Sequence, residues 1–272
     1  MILKIISGGQ TGVDRGALDT AIKLGVPHGG WLPRGRKTED GRLPDHYDLQ
    51  ELASTDYRER TERNVRDADG TLIISPDPLA GGSAYTRQMA ERYVKPWLHV
   101  NPAAAGEFVA ARAVYDWVTE GGIEVLNIAG PRASKEPGIY AITCRLLEAV
   151  FYLDMMQFAA APGGFAATWD RAGGSGQPET VVDAVAQLVE SLPLRERTVI
   201  AGIGGQEWQR LRAGMVDELK RAFHLDRGNQ ALLADCRRVS ADQHLDSDGA
   251  AGVVLETLWQ ELKRTHVLRR IK

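Results

Sequence analysis

Residues 2–24, ILKIISGGQTGVDRGALDTAIKL, decide the fold of this 272-residue chain. Ile2, Leu3, Ile5 and Ile6 predict a short buried strand, and Gly8, Gly9 and Gly12 predict a tight turn after it. Val13, Ala17 or Leu18, Ala21 and Leu24 then recur at helical spacing until Gly25 and Pro27 close the helix. A strand that passes through a glycine turn directly into a helix makes an anion site, because the first N–H groups of the helix have no internal partner and point back into the turn. The loop is not a Walker A motif: Val13 and Asp14 follow Gly12 where a Lys-Ser/Thr pair is required, and the spacing does not fit the dinucleotide fingerprint.

Outward from this stretch, short apolar runs alternate with helical patterns. Extended segments are expected near 27–32, 71–75, 97–100 and 123–128, and helices near 55–67, 84–94, 105–119 and 139–155. This alternation predicts an α/β, Rossmann-like parallel sheet over residues 1–158. The Ala/Gly/Pro-rich stretch 159–178 reads as a linker, and 179–272 as a small helical domain with helices at 179–190, 206–223 and 249–264. Asp248 is expected to cap the last of these.

Composition narrows the classes. With 43% hydrophobic and 25% charged residues and a net charge of −3, the chain reads as an ordinary globular protein with no general pull toward nucleic acid. No apolar run suits a bilayer, and the N-terminus reads as a strand rather than a leader, which predicts a cytoplasmic protein with no membrane partner. Cys144 and Cys236 predict no disulfide framework, and the six histidines lack metal-binding spacing. No resident metal is expected.

Three glycine-containing turns follow strands: Gly8–Gly12, Ala80-Gly81-Gly82-Ser83, and Gly130-Pro131-Arg132-Ala133-Ser134. In a parallel sheet all strand C-termini lie on one edge, so the three turns converge on the crevice where open α/β sheets bind ligands. Arg34, Arg36, Lys37 and Arg42 lie in the segment GGWLPRGRKTEDGRLPD at 29–45, and Arg132 with Lys135 adds a second basic pair. Their guanidinium forks suit a phosphate or oxyanion. The alternative is a solvated loop in which these arginines pair with Glu39, Asp40 and Asp45. Asp14, in the first helical turn beside the oxyanion loop, is the leading candidate for chemistry, against a structural role at the helix N-terminus.

The blocks SGGQTGVDRGALD (7–19), GWLPRGRKTEDGRLP (30–44), TERNVRDADGTLIIS (61–75), GGSAYT (81–86) and LNIAGPRASKEPGIY (126–140) together resemble the bacterial molybdenum cofactor carrier family, a permuted branch of the Rossmann-like superfamily that includes DprA and the LOG proteins. The resemblance covers about residues 1–155 and implies a Rossmann-like domain and a homodimer or homotetramer. It assigns Gly8, Gly9, Gln10, Thr11 and Gly12 to the phosphate or oxyanion turn, Gly81, Gly82, Ser83 and Thr86 to a second donor cluster, and Arg132 and Ser134 to a third. The cargo it implies is the molybdenum cofactor, a pterin with a dithiolene, a terminal phosphate and an oxo-metal centre; molybdate, tungstate or a nucleotide are the related ligands. Molybdoenzymes or cofactor-maturation proteins are the implied partners. The region after the linker resembles a helical domain of unknown function.

Two function classes follow. The first is a non-catalytic carrier that holds a phosphorylated or oxyanion ligand in the Gly-rich, Arg-lined crevice. The alternative is a LOG-type enzyme hydrolysing the N-glycosidic bond of a nucleoside monophosphate, or a nucleotide sensor. LOG-like enzymes use a PGGxGTxxE block, and AGGSAYTRQMAE at 80–91 lacks its Pro and its Gly-Thr pair, with Glu91 displaced down the helix. The carrier class is therefore preferred, with Asp14 and Glu91 as the residues any catalysis would require.

Overall fold

The computed structural model describes residues 2–160 and 176–266. Of the expected linker, residues 161–175 lie outside the described residues. The chain divides into two compact units, Met1–Asp154 and Met155–Lys272.

In the first unit the opening stretch forms β1 (Lys4–Ile6) and α1 (Val13–Lys23), followed by β2 (His28–Gly29). Four two-residue strands then belong to a long excursion: β3 (Trp31–Leu32) pairs in parallel with β6 (Gln50–Glu51), and β4 (Lys37–Thr38) and β5 (Gly41–Arg42) form an antiparallel hairpin. Leu32, Leu43, Tyr47 and Leu49 tie this excursion to Leu18 of α1 in one buried cluster. The chain continues through α2 (Tyr57–Asp67), β7 (Gly70–Ile74), α3 (Gly81–Arg92), β8 (Trp97–Val100), α4 (Pro102–Ala105), α5 (Glu107–Glu120), β9 (Val125–Ala129) and α6 (Ile139–Ala160).

The central sheet has the order β2-β1-β9-β7-β8, and every pairing in it is parallel. All five residues of β7 are buried, as expected of a strand covered on both faces. The last strand in sequence, β9, is inserted between β1 and β7, pairing Ile5 with Leu126 on one side and Leu72 with Ile128 on the other. The strands followed by glycine turns therefore become neighbours. Asn127 Nδ2 donates to Thr71 Oγ1 at 3.2 Å, and Ser7 Oγ donates to the Ile128 carbonyl at 2.7 Å, so the polar side chains inside this sheet are satisfied.

Insertion of β9 also brings two turns into backbone contact. Gly12 has φ 76° and precedes α1, and the Val13 N–H reaches the Pro131 carbonyl at 3.3 Å. A Cβ at Gly12 would lie 2.5 Å from that carbonyl oxygen and 2.8 Å from the Ala133 nitrogen. Both the conformation and the space require glycine here.

The second unit is helical, with α7 (Val181–Ser191), α8 (Leu194–Gly202), α9 (Gly205–Ala222), α10 (Gln230–Ser240) and α11 (Ser247–His266). The long α11 packs on each of the other four. Trp208 is fully buried and stacks on Trp259 with ring centroids 5.5 Å apart, while its Nε1–H donates to Glu256 at 3.0 Å. Helices α8 and α10 both lie outside the ranges expected from the sequence; in α8 the apolar residues are not gathered on one face. The cap of α11 also differs: Asp246, not Asp248, accepts the Gly249 N–H at 2.8 Å, and Asp248 instead takes the Lys220 ammonium at 2.5 Å.

Replacing Gly12 by Ala should lower the unfolding free energy by about 1–3 kcal/mol, through left-handed strain and the clash with the Pro131 carbonyl. Urea denaturation with an unchanged midpoint would show that the seam between the two turns yields without cost.

Candidate functional site: a cationic crevice at the sheet edge

The C-terminal ends of β1, β7 and β9 open into a crevice of about 760 Å³. Its floor is formed by Gly8, Gln10 and Asp14 from the first turn, Ala80 to Ser83 with Thr86 from the second, and Gly130 to Arg132 from the third. The other wall comes from α2, whose Tyr57, Arg58, Arg60, Thr61 and Asn64 all face it. A volume of this size falls in the range of small-molecule and cofactor sites.

Arg60 is central to the geometry. Its guanidinium lies across Gly8, where a Cβ would meet Nη1 at 1.2 Å, and Nη1 donates to Asp14 Oδ2 at 2.8 Å. Glycine at position 8 is therefore the condition for Arg60 to lie on the turn. The same Asp14 oxygen accepts the Gln10 N–H at 3.2 Å, which pins the turn to the first residues of α1. Both members of the pair are largely withdrawn from solvent, with side-chain exposures of 14% for Arg60 and 7% for Asp14. Arg60 Nε is buried with no hydrogen-bond partner. A buried N–H donor left unmatched carries a desolvation cost that the Asp14 pair only partly offsets.

Three more cations line the crevice. Arg132 is 46% exposed and stands 3.7 Å from Glu39. Arg58 leans over the Tyr85 ring, and among the described residues neither Arg58 nor Lys135 forms an ion pair. Across from them, Gly81 and Gly82 begin α3, so the N-terminal end of that helix points its partial positive charge into the same space. On the far wall Ser75 Oγ donates to the Pro76 carbonyl at 3.1 Å, and His99 Nε2 lies 3.0 Å from the Ser75 carbonyl and 3.1 Å from its hydroxyl. This polar knot ties the end of β7 to β8. Among the described residues no group of three His, Cys, Asp or Glu side chains is arranged to hold a metal.

The site residues expected from sequence divide into those at the crevice and those elsewhere. Gly8, Gln10, Gly81, Gly82, Ser83, Thr86, Arg132 and Asp14 line it. Gly9 does not: it abuts Leu43 and Leu49 in the core. Gly12 faces the third turn, and Thr11 and Ser134 turn to Glu39. The basic loop is the main correction. Arg36 is buried and donates to the carbonyls of Leu43, Pro44, Tyr47 and Leu49 at 2.9–3.2 Å, which makes it the internal brace of its own loop. Neither Arg34 nor Lys37 reaches the crevice. Arg42 pairs with Asp45 at 2.7 Å and Arg15 with Asp40 at 3.3 Å, the solvated-loop alternative for those acids. Glu91 is exposed on the outer part of α3, 3.5 Å from Arg87, and is absent from the crevice. Burial pushes the Cys144 thiol up, which disfavours a nucleophilic thiolate there.

The sequence predicts the helix at 55–67, now α2, but not that one of its faces lines the crevice. Tyr57, Arg60, Thr61 and Asn64 follow the i, i+3, i+4, i+7 spacing of one helix face, so a polar stripe was legible in YRERTERN. What hid it is that the opposite face of this helix is charged as well. Asn64 is buried, and it accepts the Trp31 N–H at 2.8 Å while donating to the Trp31 carbonyl, holding the start of the excursion against α2.

Comparison with known proteins agrees with this architecture. The crystal structure of a protein designated a molybdenum carrier, from Syntrophus aciditrophicus SB, is 55% identical to the chain; the match covers 55% of this chain and 94% of that one, with a TM-score of 0.54. None of the curated proteins matches. The model of the circularly permutated YpsA SLOG family matches residues 5–151, which contain all three turns, α2 and the crevice they enclose. Because that match spans more than half of the chain, the protein belongs to the circularly permutated YpsA SLOG family.

Proposed function

We propose that the protein is a non-catalytic binding protein that holds the molybdenum cofactor as cargo, gripping its phosphate and oxo groups in the cationic crevice. The observation that carries this reading is Arg60: a guanidinium seated on the glycine turn, with a buried unmatched N–H, faced by three further cations and a helix N-terminus. Asp14, Asp77 and Glu136 also belong to the lining, so four cations stand against three carboxylates there, a net positive charge beside the backbone donors and the helix N-terminus. A ligand rich in phosphate and oxo oxygens is its chemical complement, and charge-assisted contacts of this kind are the strong ones. The likeness to the Syntrophus protein designated a molybdenum carrier supports molybdenum as the cargo's metal. A free tetrahedral oxyanion, molybdate or tungstate, would use the same donors.

The non-catalytic reading rests on Asp14 and Glu91, the two acids that the sequence put forward for chemistry, although Asp77 and Glu136 also line the crevice. Asp14 is engaged by Arg60 and by the Gln10 N–H, and Glu91 lies outside the crevice. Neither is poised to accept a proton from an attacking water, which LOG-type hydrolysis of a nucleoside monophosphate would require. The proposal includes a cytoplasmic homo-oligomer that exchanges its cargo with molybdoenzymes or cofactor-maturation proteins. No helix among the described residues is long and apolar enough to cross a membrane, which accords with that setting.

Calorimetric titration with molybdate or tungstate should show affinity falling about tenfold to a hundredfold in Arg60→Ala and in Arg132→Ala, the loss of one charge-assisted contact of about 1.5–3 kcal/mol. Arg60→Ala should also lower stability because it leaves Asp14 buried and unpaired, whereas Arg132→Ala should not. Arg36→Ala is the control: it should destabilise the fold by about 1–3 kcal/mol while any folded fraction binds normally. Full affinity in both crevice variants would remove the crevice from consideration.

A second measurement addresses chemistry. Incubation with AMP and other nucleoside monophosphates should release no free base above background. Base release that vanishes in Asp14→Asn would establish the hydrolase in place of the carrier.

A further inference from the structure

Beside the crevice, a second set of donors already holds an anion, and the chain itself supplies it. Glu39 stands at the tip of the β4–β5 hairpin. Its carboxylate accepts the Thr11 hydroxyl, the Ser134 backbone N–H at 3.2 Å and the Ser134 hydroxyl at 2.5 Å, and Arg132 Nε lies 3.7 Å away. Thr11 is oriented for this role: the Ala133 N–H donates to Thr11 Oγ1 at 3.2 Å, leaving the hydroxyl proton for Glu39. Burial works against the Glu39 charge, but the hydrogen bonds from Ser134 and Thr11 and the nearby Arg132 hold its carboxyl below the usual carboxylate range. The carboxylate is therefore an anion in an anion's place.

The tip is held by few contacts. The Glu39 N–H donates to Gln10 Oε1 at 2.8 Å, which also accepts the Thr11 N–H at 3.0 Å, and Asp40 meets Arg15 at 3.3 Å. Each is an exposed or partly exposed polar contact. Two hydroxyls, a backbone N–H and a guanidinium converging on one point match a tetrahedral oxyanion as well as a carboxylate. Two of these donor groups, Thr11 and Ser134, belong to the turns that also line the crevice, and Arg132 borders both places. Two anions cannot share the donors at such short range without strong repulsion.

We propose that the Thr11–Arg132–Ser134 cradle is a binding subsite for a phosphate-monoester or other tetrahedral oxyanion group, and that Glu39 is its internal occupant, which must leave when the ligand enters. The inference rests on the binding reading of the crevice, since the remainder of the ligand would lie there. Its consequence is that the hairpin at 37–42 competes with the ligand, so binding moves the hairpin away from the first turn.

The test is an amide NMR titration of the full chain with inorganic phosphate and, separately, with molybdate, in the wild type, Glu39→Ala and Glu39→Gln. With the competing charge removed, both variants should bind at least fivefold tighter than wild type, with the Ala133 and Ser134 amides shifting in step with occupancy. Adding Ser134→Ala to the Glu39→Ala chain should cancel that gain. Unchanged or weaker binding in both Glu39 variants overturns the proposal. The Gly8, Gly81 and Gly82 amides report the crevice separately. If they respond while Ala133 and Ser134 do not in any variant, the cradle is refuted and the binding reading stands; if no amide responds in any variant to either anion, both are refuted.

Discussion

The seam between the turns after β1 and β9 is the constraint on which the rest of the site depends. Val13 N–H meets the Pro131 carbonyl across it, and the absence of a side chain at Gly12 is what allows the two backbones to approach. The seam exists because β9, the last strand in sequence, enters the sheet between β1 and β7. A sheet built in sequence order would have kept these turns strands apart. Their juxtaposition concentrates backbone donors and the start of α3 on one edge, which is how an open parallel sheet acquires a ligand crevice.

On that frame, one ion pair sets the electrostatics. Asp14 sits in the first turn of α1, where the helix N-terminus favours a carboxylate, and it receives both the Gln10 N–H and the Arg60 guanidinium. The pair holds a cation from α2 flat on Gly8 without neutralising all of its donors. Burying two charges is costly unless the geometry and the remaining hydrogen bonds are good, and here the buried Arg60 Nε is left without a hydrogen-bond partner. The Glu39 cradle is the contrasting case: there the donors are matched, but by a residue on an exposed hairpin.

The arginines of the 29–45 excursion illustrate how identical side chains separate into different roles. Arg36 is enclosed by a loop whose carbonyls turn inward, so it organises that loop around Leu43, Tyr47 and Leu49. Arg42 stays at the surface with Asp45, where an ion pair contributes little. The excursion therefore places a hairpin tip and an acidic residue beside the crevice and no cation within it. An acidic residue placed beside an anion site is unfavourable unless it is useful when the ligand is absent, which is the role the cradle gives Glu39.

By itself the sequence determined the main strands and helices of the sheet unit and the edge on which its turns gather. Apolar runs alternating with helical patterns are enough to predict a parallel sheet, and a parallel sheet forces Gly8, Gly81–Gly82 and Gly130 onto one side; all three line the crevice. Glycine turns are legible because they act through their own backbone, whose requirements are local. Charged side chains are not, because their partners are distant in sequence. Arg60 reaches Asp14 across 46 residues, and Glu39 reaches Ser134 across 95. Only the tertiary structure decided that Arg60 lies on the turn, that Arg36 braces a loop, and that Glu39 fills a cradle, since a long flexible side chain goes wherever packing leaves an opposite charge or an unmatched carbonyl.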